Sequence, residues 1–163
     1  MIHAVIVMNT HGKPRITKFY KNVAADEQQE IISAIYSALS SKGENFCNFI
    51  EADDIFGPDT QLVYKHFATL YFVFAIDKAE NELAILDLIQ LFVEVLDKAF
   101  KNVCELDIVY NFNKVNTILD EIVVGGMVVE TNSADIWKAV QEIEKLEKES
   151  EPTPIKTKAF GRR

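Results

Sequence analysis

"ATLYFVFAI" (68–76) decides the fold of this chain of 163 residues, together with "IHAVIVM" (2–8). Both stretches are almost continuously apolar and rich in β-branched and aromatic residues, and both are too short to be buried helices. Since successive side chains of a strand point to opposite faces, each stretch should be apolar on both faces. We therefore predict two central strands in a sheet that carries helices on both sides.

Three more mixed segments complete a sheet of five strands. They are "RITKFY" (15–20), "FCNFIEA" (46–52) and "TQLVYKHF" (60–67). Their mixture of polar and apolar residues is typical of strands nearer the edge of a sheet. Gly12 and Pro14 predict a short hairpin turn between the first two strands.

The first helix is predicted over "DEQQEIISAIYSALSS" (26–41). Its apolar residues recur at helical spacing and should cover one face of the sheet; they are Ile31, Ile32, Ile35 and Leu39. A turn that contains Gly57 and Pro58 is predicted at "ADDIFGPDT" (52–60).

A second helix should follow the fifth strand and extend to about Lys101. Asp77 and Glu80 have the spacing of a capping box at its start. Apolar residues occupy most of the circumference of this helix, which is more than one face of a sheet can cover. The excess should be buried by a neighbouring helix or by another protein.

Two further helices are predicted in the C-terminal part of the chain. The third spans "ELDIVYNFNKVNTILDEIVV" (105–124) and should end at Gly125 and Gly126, where left-handed caps cost little. The fourth should begin near Asn132 or Ser133, and its buried face should carry Ile136, Val140 and Ile143.

The predicted element order is β-β-α-β-β-β-α-α with an appended C-terminal helix, a mixed α/β (α+β) fold. The length is that of one compact domain, which we place at 1–149. The segment 150–163 is rich in Pro, Lys and Arg, and we expect it to be a flexible basic tail.

The charge of the chain is unevenly distributed. The formal net charge is −8, yet residues 1–21 contain four cations and no acid, and "IKTKAFGRR" (155–163) contains four more cations and no acid. The acidic remainder should repel nucleic acid, whereas a short basic patch suits a small acidic ligand. No apolar run reaches the roughly 18 residues of a membrane span and no leader pattern is present, so we expect a cytosolic protein.

Catalytic and metal-binding motifs are absent from the sequence. His3, His11 and His66 are scattered without metal-ligand spacing, and Cys47 and Cys104 are lone cysteines that we expect to be buried thiols. The chain contains no nucleotide fingerprint, nucleophile elbow or HExxH motif. We therefore predict a protein that is not an enzyme and that binds neither a metal nor a cofactor.

Several long segments resemble the small sigma subunits of the heterotetrameric clathrin-type adaptor complexes. They are "GKPRITKFY", "HFATLYFVFAID", "LDLIQLFVEVLDKAFKNVCELDIVYNFNKV" and "GGMVVETN", and the match spans 1 to about 146. Within the family, "CNFIE" and "GGMVVETN" are most similar to the sigma subunits of adaptor complex three. The resemblance implies a longin-like fold, with a five-stranded, mainly antiparallel sheet between helices.

The resemblance also implies a function in vesicle coats. A sigma subunit binds the trunk of a large subunit, here of the delta type, and assembles with a beta-type large subunit and a medium mu subunit. It helps to bind acidic dileucine signals in cargo tails. We expect a peripheral location on the cytosolic face of Golgi and endosomal membranes and transport vesicles, in traffic to the lysosome or vacuole, with an Arf-family GTPase engaged through the complex.

The signal of this family has an acidic residue four positions before a pair of large aliphatic residues, so its site needs a cation beside apolar sockets. The resemblance implies that Arg15 binds the acidic residue and that Asn102 binds the peptide backbone. It implies an aliphatic pocket formed by Ala68, Leu70, Val93, Val103 and Ile108. Thr10 stands where the plasma-membrane relatives have arginine.

Two alternatives stay open at this point. By residue type alone, the aliphatic residues of this set are typical of a core, and Arg15 is typical of a solvated cation. A longin-type regulator of membrane fusion or of small GTPases would use the same sheet and helices. Fusion longins continue into a coiled coil and an anchor, whereas this chain continues into one helix and a Pro-containing tail, which favours the adaptor.

Overall fold

A five-stranded antiparallel sheet forms the centre of the computed structural model, which describes residues 1–42 and 48–150. The strand order is β2-β1-β5-β4-β3, and all neighbours pair antiparallel. The strands are β1 (Ile2–Asn9), β2 (Pro14–Phe19), β3 (Phe49–Glu51), β4 (Thr60–Phe67) and β5 (Leu70–Asp77). The prediction that the two most apolar segments are central strands is confirmed, because β1 and β5 pair with each other and each has a second neighbour.

Helices cover both faces of this sheet, and a small hairpin follows the fifth helix. The helices are α1 (Ala25–Ser41), α2 (Asp53–Phe56), α3 (Glu82–Phe100), α4 (Glu105–Tyr110), α5 (Phe112–Ile122) and α6 (Ser133–Ser150). The hairpin consists of β6 (Val123–Val124) and β7 (Met127–Val128).

The core is divided by the sheet into two hydrophobic clusters. Along β5, Val73 and Ala75 belong to the cluster under α1, while Phe72 and Phe74 belong to the cluster under α3, α5 and α6. This alternation follows from the two-residue period of a strand. The near-continuous apolar sequence of β5 is therefore explained by burial on both faces, as the sequence predicts.

The apolar excess of α3 is covered by helices of the same chain. Its buried residues are Ile85, Leu88, Ile89, Phe92, Val93, Val95 and Leu96. They lie in one cluster with buried residues of α5 and α6, and the Phe92 ring meets Phe72 of the sheet edge-to-face, with 5.9 Å between centroids. The sequence left open whether a neighbouring helix or another protein buries these residues, and in this structure neighbouring helices contribute to their burial.

The predicted start of α3 is wrong. Asp77 and Glu80 do not form a capping box; their carboxylates bind the Met1 ammonium at 2.8 and 2.6 Å. The cap is Asn81, whose side-chain oxygen accepts hydrogen bonds from two backbone N–H groups of the first turn. Acidic spacing alone cannot distinguish a cap from a turn, because β5 continues through Asp77 and delays the helix.

The predicted third helix is interrupted. Asn111 leaves the helical conformation at φ −116° and ψ 37°, which separates α4 from α5. Gly125 and Gly126 do not cap a helix; they form the turn between β6 and β7 with φ 58° and 82°. Two successive left-handed residues are the signature of a two-residue hairpin turn, which glycine permits without steric cost.

The structure also differs from the sequence-based predictions in smaller details. The short α2 lies inside the predicted turn at 52–60, and α1 and α6 bury Ile31 and Ile136 but only half-bury Ile32 and Ile143. The order is therefore β-β-α-β-α-β-β-α-α-α-β-β-α. Residues 46 and 47 of the predicted third strand and 151–163 of the predicted tail lie outside the described residues.

The two glycines of the β6–β7 turn offer a matched test of how this hairpin is held on β1. Ile2 N–H donates to the Gly126 carbonyl at 2.8 Å, and a Cβ at Gly126 would collide with the Ile2 carbonyl oxygen. A Cβ at Gly125 would meet nothing within 4 Å. Gly125→Ala should cost about 1–2 kcal/mol from backbone conformation alone.

Gly126→Ala should cost roughly 1–3 kcal/mol more than Gly125→Ala, because the collision forces the hairpin away from β1. Urea denaturation of both variants measures the difference. Equal unfolding midpoints for the two variants would show that the contact with Ile2 does not constrain the hairpin.

Candidate functional site

The candidate site lies at one end of the sheet, where three distant segments of the chain meet. Thr10 of the β1–β2 hairpin donates its N–H to the Thr69 carbonyl in the β4–β5 turn at 3.1 Å. The same hairpin contacts the start of α4, because Asn9 and Arg15 both donate to Glu105. The site is therefore built on turns that the sheet holds together.

Arg15, on β2, is engaged in an ion pair. Its Nε and Nη2 lie 2.8 and 2.7 Å from Glu105 Oε1, which also accepts a hydrogen bond from Asn9 Nδ2 at 3.0 Å. The two charged side chains are about one-quarter exposed, 26% for Arg15 and 25% for Glu105. The predicted ligand-binding cation thus already holds a carboxylate of its own chain.

Glu105 and Asn9 are site residues that the sequence analysis missed. The hydrogen bonds from Arg15 and Asn9 hold the pKa of Glu105 below its ordinary value of 4.5. Asn9 Oδ1 accepts the backbone N–H groups of His11 and Lys13 at 3.0 and 2.9 Å, so this one side chain also shapes the hairpin. Asn9 gives a weak sequence signal, because asparagine is favoured at turns, but nothing local links either residue to Arg15.

The predicted aliphatic residues come together as part of the core. Leu70 of β5, Val93 of α3 and Ile108 of α4 are buried in one hydrophobic cluster. Val103, in the connection between α3 and α4, is half-buried and packs against this cluster. All four residues thus belong to the core on this side of the sheet or pack against it.

Ala68 and Asn102 lie on turns beside this cluster. Ala68, predicted to lie on the fifth strand, precedes that strand and has a left-handed backbone at φ 52°. Lys101 and Asn102 are also left-handed, at φ 54° and 75°. Among the described residues these are three of the four non-glycine residues with positive φ. Such backbone persists only where its surroundings enforce it, and it is often found at functional sites.

Asp97 holds the strained connection between α3 and α4 in place. Its carboxylate accepts the Val103 N–H at 2.9 Å, and its carbonyl accepts the Lys101 N–H at 2.8 Å. The connection ends at Cys104, the N-cap of α4, which is exposed. The prediction of a buried thiol is wrong for Cys104, because its position as the N-cap of a surface helix exposes it to solvent. Cys47 lies outside the described residues.

A patch of exposed apolar side chains lies on the outer surface of α4 and the start of α5. We call Leu106, Val109, Tyr110 and Phe112 the α4 patch. Tyr110 and Phe112 also line an open groove of about 320 Å³ between α5 and α6. Contiguous exposed apolar surface of this kind is typical of protein interaction sites.

Within the described ranges, no cluster of His, Cys, Asp and Glu side chains could hold a metal ion. The same residues include no helix with the length and hydropathy needed to cross a bilayer.

Comparison with known proteins identifies the family. The model of the clathrin adaptor complex small chain matches residues 1–147. This chain belongs to that family. Family members similar to it include the AP-3 complex subunit sigma of Arabidopsis thaliana, 57% identical over 99% of this chain and 97% of that protein. The Dictyostelium discoideum AP-3 complex subunit sigma is 47% identical over 93% of this chain and 91% of that protein.

A vertebrate family member and a structure agree with this assignment. The human AP-3 complex subunit sigma-2 is 48% identical over 91% of this chain and 77% of that protein. A chain in a homology model of the full-length AP-3 complex in a stretched open conformation superposes with a TM-score of 0.71 at 39% identity, covering 91% of this chain and 96% of that chain. The predicted small-chain family and its longin-like fold are confirmed.

The Arg15–Glu105 pair predicts a specific dependence of stability on pH. Because the folded-state pKa of Glu105 is lowered, the pair stabilises the fold above the ordinary pKa of 4.5, and this stabilisation is lost as the pH falls through the folded-state pKa. The difference in unfolding free energy between the wild type and Glu105→Gln should be largest at neutral pH and should shrink towards zero in acid.

Urea denaturation at about pH 7 and about pH 3 measures this difference. In an Arg15→Gln background the dependence should be weaker, since only Asn9 then holds the carboxylate. A difference between wild type and Glu105→Gln that is the same at both pH values would contradict the assignment.

Proposed function

We propose that this chain is the sigma subunit of an AP-3-type adaptor complex. In that complex it stabilises the trunk of a delta-type large subunit and helps to bind acidic dileucine signals, in transport from the Golgi and endosomes to the lysosome or vacuole. The observation that carries the proposal is the similarity to proteins named AP-3 complex subunit sigma, one of which is 57% identical over 99% of this chain. Its role is one of binding rather than of catalysis.

The α4 patch is the surface proposed to contact the large subunit. The sequence alone suggested α3 for this role, but most apolar residues of α3 are buried against the sheet, α5 and α6. The α4 patch has no such cover, and it lies on the helix that also reaches Arg15 through Glu105. The beta-type and mu subunits, an Arf-family GTPase and the cytosolic face of the membrane would be engaged through the assembled complex.

The proposed cargo site combines the cation and the aliphatic cluster at the end of the sheet. Arg15 would bind the acidic residue of the signal, because a guanidinium is permanently charged and forms paired hydrogen bonds with carboxylates. The aliphatic pair would enter between Leu70, Val93, Val103 and Ile108, beside Ala68. Asn102, exposed on its turn, would bind the peptide backbone.

Assembly through the α4 patch can be tested with two leucines that match in exposure. Leu106 in the patch is 62% exposed and Leu146 on α6 is 64% exposed. Leu106→Ser should lower co-purification with a co-expressed large-subunit trunk about tenfold or more, because burial of a leucine contributes about 1.5–3 kcal/mol. Leu146→Ser should leave co-purification unchanged.

Co-expression with the trunk should also raise the soluble yield of the wild-type chain. Equal loss for the two leucine variants would exclude the α4 patch. An isolated chain that is stable and monomeric and does not bind the trunk in gel filtration would contradict the adaptor role itself.

Cargo recognition can be divided into the contribution of the cation and that of the pocket. Val103→Ser should weaken an acidic dileucine peptide by roughly 1–3 kcal/mol, since it removes apolar contact and adds a hydroxyl. Arg15→Ser should weaken the same peptide by about 0.5–2 kcal/mol, and this loss should shrink as salt increases. The loss from Val103→Ser should barely respond to salt.

Peptide titrations of the sigma and large-subunit pair at low and high salt measure both effects. Undiminished binding by Val103→Ser, or the same salt dependence for both variants, would place the pocket on other residues.

A further inference from the structure

Both halves of the proposed cargo site are occupied by one short helix, α4. Its first residue, Glu105, holds Arg15 through two short contacts to a single carboxylate oxygen. Ile108 is fully buried in the aliphatic cluster. Residues three apart lie on the same side of a helix, so the inner side of α4 closes the charged half and the apolar half together.

We propose that Glu105 is a built-in competitor for the acidic residue of the cargo signal. Its carboxylate holds Arg15 in the unliganded subunit and leaves when the carboxylate of the ligand arrives. This inference rests on the proposed function, because it assumes that Arg15 binds the acidic residue of an incoming peptide.

The two carboxylates exclude each other for an electrostatic reason. The Nε and Nη2 groups of Arg15 both point at Glu105 Oε1, so one of the guanidinium edges that can hold a ligand carboxylate in paired hydrogen bonds is taken. A second carboxylate on this guanidinium would lie a few Å from Glu105, in a place where both side chains are mostly shielded from water. Like charges repel at this separation, so a ligand carboxylate on Arg15 favours the release of Glu105.

Non-helical backbone at both ends makes α4 a short segment that is separate from α3 and α5. Before it, Lys101 and Asn102 adopt left-handed conformations that are costly for non-glycine residues. After it, Asn111 breaks the helix before α5 begins. A displacement of α4 would carry Glu105 away from Arg15 and Ile108 out of the hydrophobic cluster in one step.

Competition has a consequence that binding by a free arginine lacks. In the wild type, an acidic ligand exchanges one carboxylate on Arg15 for another, so its acidic residue contributes only part of the affinity that an unpaired guanidinium would give. With residue 105 neutral, the same ligand meets an unpaired guanidinium and gains the full charge-assisted contact. The preference for acidic over neutral ligands should therefore increase when Glu105 loses its charge.

A thermodynamic cycle tests this inference on the full chain assembled with its large-subunit trunk. The probes are two synthetic peptides that differ only in Glu or Gln at the fourth position before a Leu-Leu pair. The quantity measured is the ratio of the Kd of the Gln peptide to that of the Glu peptide. Glu105→Gln should raise this ratio about three- to tenfold over the wild type at the same salt concentration.

A matched control separates competition at Arg15 from a general change in charge. Asp120→Asn also neutralises one acid that pairs with a cation of β2, since Asp120 Oδ1 lies 2.6 Å from Lys18 Nζ. The ratio of the two Kd values for Asp120→Asn should equal that of the wild type. Glu105→Asp, which keeps the charge but shortens its reach, should give an intermediate ratio and serves if Glu105→Gln fails to assemble.

The outcomes distinguish this inference from the function on which it rests. Suppose that the peptides bind the wild type, that Val103→Ser weakens this binding, and that the Kd ratio is unchanged in both Glu105 variants. This result would overturn competition and leave the proposed cargo site in place. An equal rise in Asp120→Asn would overturn competition in the same way. Failure of both peptides to bind the wild type and every variant would overturn the proposed cargo function together with the inference.

Discussion

The antiparallel pairing of β1 with β5 is the constraint on which the rest of the structure depends. Each strand is apolar on both faces, so the pair must be buried from both sides, by α1 on one and by α3, α5 and α6 on the other. No face of the sheet is then left for a ligand. Turns at the ends of the sheet remain accessible, and the candidate site lies at such an end.

The site itself depends on contacts between segments far apart in the chain. Arg15 and Glu105 are separated by 90 positions, and they meet because the β1–β2 hairpin and the start of α4 pack at the same end of the sheet. Left-handed residues at Ala68, Lys101 and Asn102 bring the neighbouring turns into place. Hydrogen bonds to Asp97 hold that geometry, so the site combines a rigid frame with one short helix that has non-helical residues at both ends.

The local sequence pattern predicted secondary structure correctly wherever burial of one face gives the apolar residues a regular spacing. The bounds of β4 and α1 and the C-terminal end of α3 follow the sequence closely, because apolar spacing there reflects one continuous buried face. Local pattern was wrong where two structures fit the same residues. Asn111 could continue or break a helix, Gly125 and Gly126 could cap a helix or turn a hairpin, and an acid at 77 could cap α3 or bind the amino terminus.

The sequence by itself determined the two-sided sheet, the main helices and the small-chain family, because those depend on periodicity and on long motifs that are local properties of the chain. The resemblance also predicts an aliphatic pocket of Ala68, Leu70, Val93, Val103 and Ile108. Only the tertiary structure decided that Glu105 forms an ion pair with Arg15 and that Leu70, Val93 and Ile108 are buried in the core. An ion pair between residues far apart in the chain produces no recognisable sequence pattern. Burial of a residue depends on what packs against it rather than on its type.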